Sequence, residues 1–298
     1  MPHFPVRRSE ITTPGHSVKM ITKAAGVKPD LVMMDLEDAC AVSQKVAARD
    51  AVIEAANTVD WGDTLCAFRP NNVHTQFFFD DMLRVIPEAG ANLDIAILPK
   101  TESADEIRYV DQLLTHLERK AGLPHGKIKL EVLIESCKAV LEVEKITAAS
   151  PRLEGLIFGV ADYAAETGAD LRPDINTDFT YARQKLVNAA HANDLLAIDC
   201  VTINFRDMDQ VRIDAETGRR MGFDGKWCIH PGHVEIVNEV YTPTAEQVVR
   251  AKELVALYEK ADVQDGLGAV VYGDEMVDMA TVRVEQRILE TAKRAGKA

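Results

Sequence analysis

Several polar side chains close or directly follow short aliphatic runs. Glu37 and Asp38 follow DLVMMDL, Arg69 closes TLCAF, Lys100 follows LDIAILP and Glu135 follows KLEVLI. Asp162 comes after LEGLIFGVA, Asp199 lies in LLAID, and His230 follows GKWCI. A bare buried charge costs several kcal/mol or more unless something pairs with it. An apolar run that finishes on a carboxylate, as KLEVLIES does on Glu135, therefore either turns into solvent or meets a cation. If these runs are neighbouring parallel strands, four or more acids converge on one face and repel each other. A divalent cation is the simplest remedy, and carboxylates without nearby cysteine suit Mg²⁺ or Mn²⁺. On that reading Glu135 is a metal ligand and Asp162 its partner.

Each residue also has a plainer reading. Asp162 is a possible cap for a short helix over DYAAETG. Asp35 is placed to bind backbone amides at the strand end rather than to act directly. Arg69 is a possible counter-ion for Glu37 or Asp38. Lys100 at a strand end is equally what a Schiff-base aldolase requires, and His230 before Pro231 is a packed turn residue by default.

The elements that must position these groups alternate regularly. Strands are expected at SEITT, in DLVMMDLEDA near Asp35, at TLCAFRPN and LDIAILPK (stopped by Pro70 and Pro99), at KLEVLIES, LEGLIFG and LLAIDCVTINF, and at GKWCIHP. Helical spacing of apolar residues marks VSQKVAARDAVIEAA, SADEIRYVDQLLTHLERKAG (Ser103 as N-cap, Gly122 as stop), CKAVLEVEKITAA, TDFTYARQKLVNAAHAND and DQVRIDAETGRRMG. About eight strand–helix units imply a parallel sheet. Over residues 1–240 they fit a closed (β/α)8 barrel of the α/β class, a TIM barrel, with catalytic groups at the C-terminal strand ends. No GxGxxG follows an early strand, which disfavours a doubly wound sheet. The alternation stops after the eighth unit. Residues 241–298 read as an extension: a helix at TAEQVVRAKELVALYEKA, a candidate hinge at VQDGLG, a short aliphatic strand in DGLGAVVYGDEMVD and a last helix at ATVRVEQRILETAKRAG.

A net charge of -13 argues against a general nucleic-acid or anionic-membrane surface. The five cysteines are scattered without a CxxC, so neither a disulfide framework nor a zinc site is expected. The N-terminal MPHFPVRRSE has no apolar signal core, and no run approaches the ~18 apolar residues that span a bilayer. A cytoplasmic location is expected.

In order and spacing, RSEITTPG, KMITKA, DLEDA, QKVAAR, FRPN, ILPK, LIES, FGVAD, GFDGKWCIHP, YTPT and MVDMA resemble the citrate lyase β-chain and malyl-CoA lyase family, with its HpcH/HpaI aldolase-like barrels. VEKITAASPRLEGLIFGVAD and GKWCIHP resemble most the malyl-CoA/β-methylmalyl-CoA branch. The resemblance implies a Mg²⁺-dependent lyase that breaks a carbon–carbon bond of a β-hydroxyacyl-CoA and yields an acyl-CoA and an oxo acid. It implies Glu135 and Asp162 as metal ligands, Arg69 as the group that stabilises the thioester enolate, and Asp278 as an acid/base on a C-terminal lid over a neighbouring subunit's site. It also implies catalytic parts for Glu37 and Asp38, and CoA contacts from His16, Lys19, Lys23, Ile229 and Pro231. A homo-oligomer, trimer or hexamer, follows from a lid of that kind.

The chain departs from the pattern at Ser17 and Thr22, where charged residues are usual, at Pro70 and Cys200, and in the shortness of LRPDINTDFT. A malyl-CoA thioesterase and a citryl-thioester lyase subunit are the nearest alternatives. A non-catalytic CoA-binding barrel would not explain the metal ligands, the arginine and the lid aspartate together.

Overall fold

The computed structural model describes residues 4–171, 179–265 and 268–297. Eight parallel strands close into a barrel in chain order: β1 (Ser9–Pro14), β2 (Leu31–Asp35), β3 (Leu65–Arg69), β4 (Ile95–Leu98), β5 (Lys129–Ile134), β6 (Leu153–Phe158), β7 (Leu196–Asp199) and β8 (Gly225–Cys228). Closure comes from β8 pairing with β1, Ser9 opposite Lys226 and Ile11 opposite Cys228. The expected (β/α)8 barrel therefore forms. Its helices are α1 (Val18–Gly26), α2 (Lys45–Thr58), α3 (Phe78–Ala89), α4 (Ala104–Lys120), α5 (Cys137–Thr147), α6 (Val160–Thr167), α7 (Thr180–Ala192), α8 (Met208–Met221) and α9 (Pro231–Tyr241). Ser103 and Ser136 cap α4 and α5, accepting from the amides of Glu106 and Ala139. α4 thus starts four residues after Lys100 and α5 two residues after Glu135.

Leu31, Met33, Ala67, Ile95, Ile97, Leu133, Ile157, Leu196 and Ile198 pack together as the plug of the barrel. Successive side chains of a strand point to opposite faces. Two residues beyond Met33, Ala67 and Leu133 stand Asp35, Arg69 and Glu135, so the apolar alternation itself aims these three inward at the C-terminal mouth. By the same rule Asp199, next to inward Ile198, faces out. It is buried against α7, where Arg183 donates to both its oxygens at 3.0 and 2.5 Å. The seventh strand is also shorter than LLAIDCVTINF, because β7 ends at Asp199. Three helices were not expected from the sequence: α1 in VKMITKAAG, α3 in FFDDMLRVIPEA and α9 in PGHVEIVNEVY.

Inside the opposite end of the barrel lies a buried cluster of one arginine and three carboxylates. Arg7 donates to Glu131 and, at 2.6 Å, to Glu154, while Glu10 is wholly buried beside them. Burial, then the charge of Glu131, pushes Glu10 well above the ordinary carboxylate range, and Glu10 in its protonated form donates to Glu131. A carboxylate whose folded-state pKa is raised contributes stability below its unfolded value and loses it as pH rises toward the folded value. Glu10→Gln supplies the same donor without a proton to lose. The variant should be more stable than the parent at pH 7–8 by on the order of 1–3 kcal/mol, and so melt higher, and the gap should shrink toward pH 4.5. Calorimetric melts of both proteins across that range check it; a gap that widens in acid contradicts the shared proton.

The chain divides into two compact units, Met1–Glu239 and Val240–Ala298. The second contains α10 (Ala245–Asp265), the antiparallel hairpin β9 (Ala269–Tyr272) and β10 (Glu275–Asp278), and α11 (Met279–Arg294). Where one aliphatic strand was expected there are two, joined by a tight Gly273-Asp274 turn in which Gly273 takes φ +58°. Val277 and Val282 pack with Leu254 and Tyr258 as the core of this unit. Arg250 ties α10 to Glu285 at 2.6 Å and to Glu275 at 2.5 Å. The proposed hinge VQDGLG and the loop LRPDINTDFT fall in part on residues 266–267 and 172–178, outside those described. Among the described residues no helix is long and apolar enough to cross a membrane.

Candidate active site

The C-terminal mouth of the barrel gathers Asp35, Glu37, Asp38, Arg69, Lys100, Glu135 and Asp162. Asp35, at the end of β2, is wholly buried and organises one side. Its Oδ1 accepts the Glu37 amide at 2.8 Å and Arg69 Nε at 2.7 Å; its Oδ2 accepts the Ala39 amide at 2.8 Å and an Arg69 terminal nitrogen at 2.5 Å. Asp35 thus shapes the turn that presents Glu37 and Asp38, and it locks the Arg69 guanidinium in a two-pronged pairing. The counter-ion expected for Arg69 was Glu37 or Asp38; the main one is Asp35. Burial opposes the charge on Arg69, but Asp35 outweighs it and holds its pKa above the ordinary arginine value. The other terminal nitrogen faces Glu37 Oε2 at 3.6 Å, and the Trp227 ring lies 5.6 Å from the guanidinium carbon.

Glu135, one residue past β5, is only 3% exposed. Its Oε1 accepts the Lys100 amide at 2.7 Å. Burial pushes its pKa up to about 8, against the pull of Arg69 and of the Lys100 N–H. Gly159, ahead of α6, leaves room beside it: a Cβ there would lie 2.5 Å from Glu135 Oε2 and 2.4 Å from its Cβ. Asp162 sits within the first turn of α6, whose N-cap position is Gly159, so it is not the cap of that helix. Its side chain is 44% exposed, with Lys100 Nζ 3.9 Å from Oδ1.

Lys100 Nζ donates to Glu37 at 2.7 Å and to Asp38 at 3.1 and 3.2 Å. Burial opposes its charge, yet these two carboxylates hold its pKa above the ordinary lysine value. An amine kept protonated this firmly is a poor Schiff-base nucleophile. Glu37 is pushed up by burial against the attraction of Arg69, and its Oε2 is buried without a hydrogen-bond partner. Asp38 is the exposed member of the pair; burial opposes, but Lys100 brings it below the usual range. Among the described residues no three His, Cys, Asp or Glu side chains are gathered closely enough to hold an ion alone. Two carboxylates with an open side fit Mg²⁺ or Mn²⁺, which bind through one or two carboxylates and complete their shell with water and substrate oxygens. A divalent cation also offsets the burial that raises Glu135.

Sequence reasoning missed the network behind the mouth. Lys45 Nζ donates to the carbonyls of Leu36 and Glu37 (2.9 and 2.8 Å) and to Asn71 (2.5 Å). Asp81, wholly buried, binds Asn71 and Arg49. Asn72 Nδ2 donates at 3.1 Å to the carbonyls of both Pro99 and Lys100. Lys45, Arg49 and Asp81 are polar residues on the buried faces of helices, while Asn71 and Asn72 lie in the loop after β3, where no periodicity marks them.

The residues assigned to CoA lie on adjacent segments. His16 precedes α1, Lys19 lies in its first turn and Lys23 in its last, all exposed, and exposed Ile229 with Pro231 follows β8, the strand paired with β1. Ser17, where a charged residue was expected, caps α1 by accepting from the Met20 amide, and Thr22 Oγ1 bonds the Val18 carbonyl. His230 accepts the Gly232 amide at 3.1 Å and stacks near Phe205, a turn residue as its default reading has it. Asp278 belongs to the second unit. It is the N-cap of α11, its Oδ1 accepting from the Thr281 amide at 3.0 Å and hydroxyl at 3.2 Å, which brings its pKa below the usual range.

Residues 8–231 match the HpcH/HpaI aldolase/citrate lyase family. The chain is 34% identical to the L-malyl-CoA/beta-methylmalyl-CoA lyase of Cereibacter sphaeroides, covering 96% of this chain and 94% of that one. It is 32% identical to the citrate lyase subunit beta of Leuconostoc mesenteroides subsp. cremoris, over 96% and 93%. Among solved structures, protein CitE from Mycobacterium tuberculosis in complex with magnesium, acetoacetate and coenzyme A superposes with a TM-score of 0.76 at 26% identity, over 97% of this chain and 98% of that one. The chain therefore belongs to the HpcH/HpaI aldolase/citrate lyase family, and its barrel is that of a carbon–carbon lyase.

Proposed function

We propose that the protein is a divalent-metal-dependent lyase acting on a β-hydroxyacyl-CoA that bears a further carboxylate, such as malyl-CoA, β-methylmalyl-CoA or citramalyl-CoA. It cleaves the bond between the α and β carbons, or forms it in the reverse direction. The observation that carries this reading is buried Glu135 held beside an Asp35-locked Arg69, with Asp162 across the mouth. The resemblance to a malyl-CoA/beta-methylmalyl-CoA lyase over nearly the whole chain supports the substrate class.

Glu135 and Asp162 would hold Mg²⁺ or Mn²⁺, which when bound supplies Lewis acidity to the substrate's hydroxyl and carboxylate oxygens. Glu37, with one buried oxygen unpartnered, takes the hydroxyl proton. As the carbon–carbon bond breaks, its electron pair moves into the thioester. The terminal nitrogen of Arg69 that Asp35 leaves unengaged donates to the developing enolate oxygen. Asp38 shares the Lys100 ammonium with Glu37, completing the acidic side of the mouth. Asp278 gives a proton to the enolate carbon, or removes it during condensation. We assign Asp278 to the site of a neighbouring copy, in a homo-oligomer such as a trimer or hexamer. The hairpin that carries it has exposed Val271 directly opposite exposed Met276, an apolar face suited to closing over another surface. His16, Lys19, Lys23, Ile229 and Pro231 line the path of the CoA moiety.

Purified protein incubated with Mg²⁺ and either malyl-CoA or citramalyl-CoA, with products identified by mass spectrometry, tests the reading. Acetyl-CoA together with glyoxylate or pyruvate is expected. Free CoA with the intact hydroxy acid would make the protein a thioesterase, and turnover of neither would overturn the substrate class. Arg69→Lys keeps the charge but loses the planar fork that Asp35 grips. It should lower kcat by about 10²-fold or more; a near-normal kcat would reduce Arg69 to a structural counter-ion.

A further inference from the structure

One residue reaches four of the five acids of the mouth, all but the Asp35 that Arg69 grips. The Lys100 amide binds Glu135 Oε1 at 2.7 Å, and its ammonium binds Glu37 at 2.7 Å and Asp38 at 3.1 Å and stands 3.9 Å from Asp162. Its backbone makes this reach possible. Lys100 takes φ +50°, the left-handed region that a lysine rarely adopts. That conformation turns its N–H toward β5 while its side chain crosses to the loop after β2. Asn72 holds it there by donating to the carbonyls of Pro99 and Lys100, both at 3.1 Å. Local strain retained against propensity, and braced by a buried amide, is what a position under functional demand displays. With Arg69 matched by Asp35, Lys100 is the only other cation paired with these four acids among the described residues.

We propose that Lys100 is a positioning residue, the resident counter-ion of the acidic mouth: it holds Glu37 and Asp38 in place without the divalent cation and sets how tightly that cation binds. The inference rests on the metal-site reading given above. A fixed ammonium among the ligands weakens a second cation by Coulomb repulsion, and in exchange it keeps the acids assembled when no cation is bound. Lys100 here neither reacts nor ligates; it acts through the carboxylates it holds.

Lys100→Asn separates this role from the others. Asparagine is the side chain other than glycine that most readily adopts φ > 0, so the turn and its N–H to Glu135 are retained while the charge is lost. Mn²⁺ binding to the metal-free protein is measured by electron paramagnetic resonance, and melting temperature is measured in EDTA and in Mn²⁺. Lys100→Asn should bind Mn²⁺ about tenfold or more tightly than the parent, melt lower in EDTA, and gain more on adding Mn²⁺. Lys100→Arg, which keeps the charge, should stay within about threefold of the parent's affinity. Unchanged or weaker Mn²⁺ binding by Lys100→Asn overturns the proposal, as does an unchanged Mn²⁺ affinity combined with a raised KM, which would mark Lys100 as a substrate contact. If Lys100→Asn does not fold, the arginine variant still decides: a loss of Mn²⁺ affinity beyond tenfold with its charge intact also overturns it. A parent protein that binds no Mn²⁺ at all overturns the metal-site reading itself, a result distinct from either.

Discussion

Glu135→Gln should fold as the parent does, lose Mn²⁺ binding and lose activity by about 10³-fold or more. Folding should survive because the amide oxygen can still accept the Lys100 N–H that Oε1 accepts now, and because Gly159 leaves the space beside the side chain open. A carboxyl lifted by burial to about 8 costs the folded state stability as pH rises above its unfolded value, and glutamine does not, so stability in EDTA at neutral pH should rise slightly rather than fall. Binding should be lost because Asp162, half-exposed, would be left as the single proposed ligand carboxylate. The checks are circular dichroism for the fold, electron paramagnetic resonance for Mn²⁺ and mass spectrometry for products. The parent enzyme should show the same collapse in EDTA and recover with added Mg²⁺. Full activity in EDTA, or a Glu135→Gln enzyme at parental rates, would remove the metal from the mechanism.

The second large effect is expected at Asp278. It caps α11, so a loss of activity in Asp278→Ala would confound an unravelled helix with a lost acid. Asparagine is as good an N-cap as aspartate and cannot move a proton at neutral pH. Asp278→Asn should therefore keep the parental melting temperature while kcat falls by about 10²- to 10⁴-fold, the range of a lost general acid or base. Mixing then tests the assignment to a neighbour. Glu135→Gln supplies intact Asp278 and Asp278→Asn supplies an intact mouth. If Asp278 serves in trans, subunit exchange should restore activity at up to roughly a quarter of the sites in an equimolar mixture. No recovery after exchange verified by native mass spectrometry would refute the trans arrangement. A parental rate in Asp278→Asn would remove the acid/base role entirely.

Much of the fold and part of the candidate site were legible before any coordinates. Strand alternation is local, and it assigns Leu31, Met33 and Asp35 to one face, Ala67 and Arg69 to another strand's same face, and Leu133 and Glu135 to a third. Serine caps mark where α4 and α5 begin, four residues after Lys100 and two after Glu135. Eight strand runs, five of them followed by a helix with its own apolar period, leave few architectures other than the barrel. The same alternation, applied to LLAID, already turns Asp199 outward, away from the mouth where a count of strand-end acids had placed it.

Charge pairing was the tertiary structure's to decide. Which acid meets which cation depends on barrel closure, which brings together residues far apart in the chain: Arg7 reaches Glu131 and Glu154, 124 and 147 residues on. Arg69 grips Asp35 rather than Glu37 because Asp35 is its register partner on the neighbouring strand. Lys100 reaches four acids only because its backbone adopts a conformation that lysine disfavours, stabilised by Asn72 from the preceding loop. Apolar periodicity is written residue by residue, since burial depends on the face a side chain occupies. Electrostatic partners are fixed by distances of a few ångströms across separate elements, and those exist only once the strands have closed.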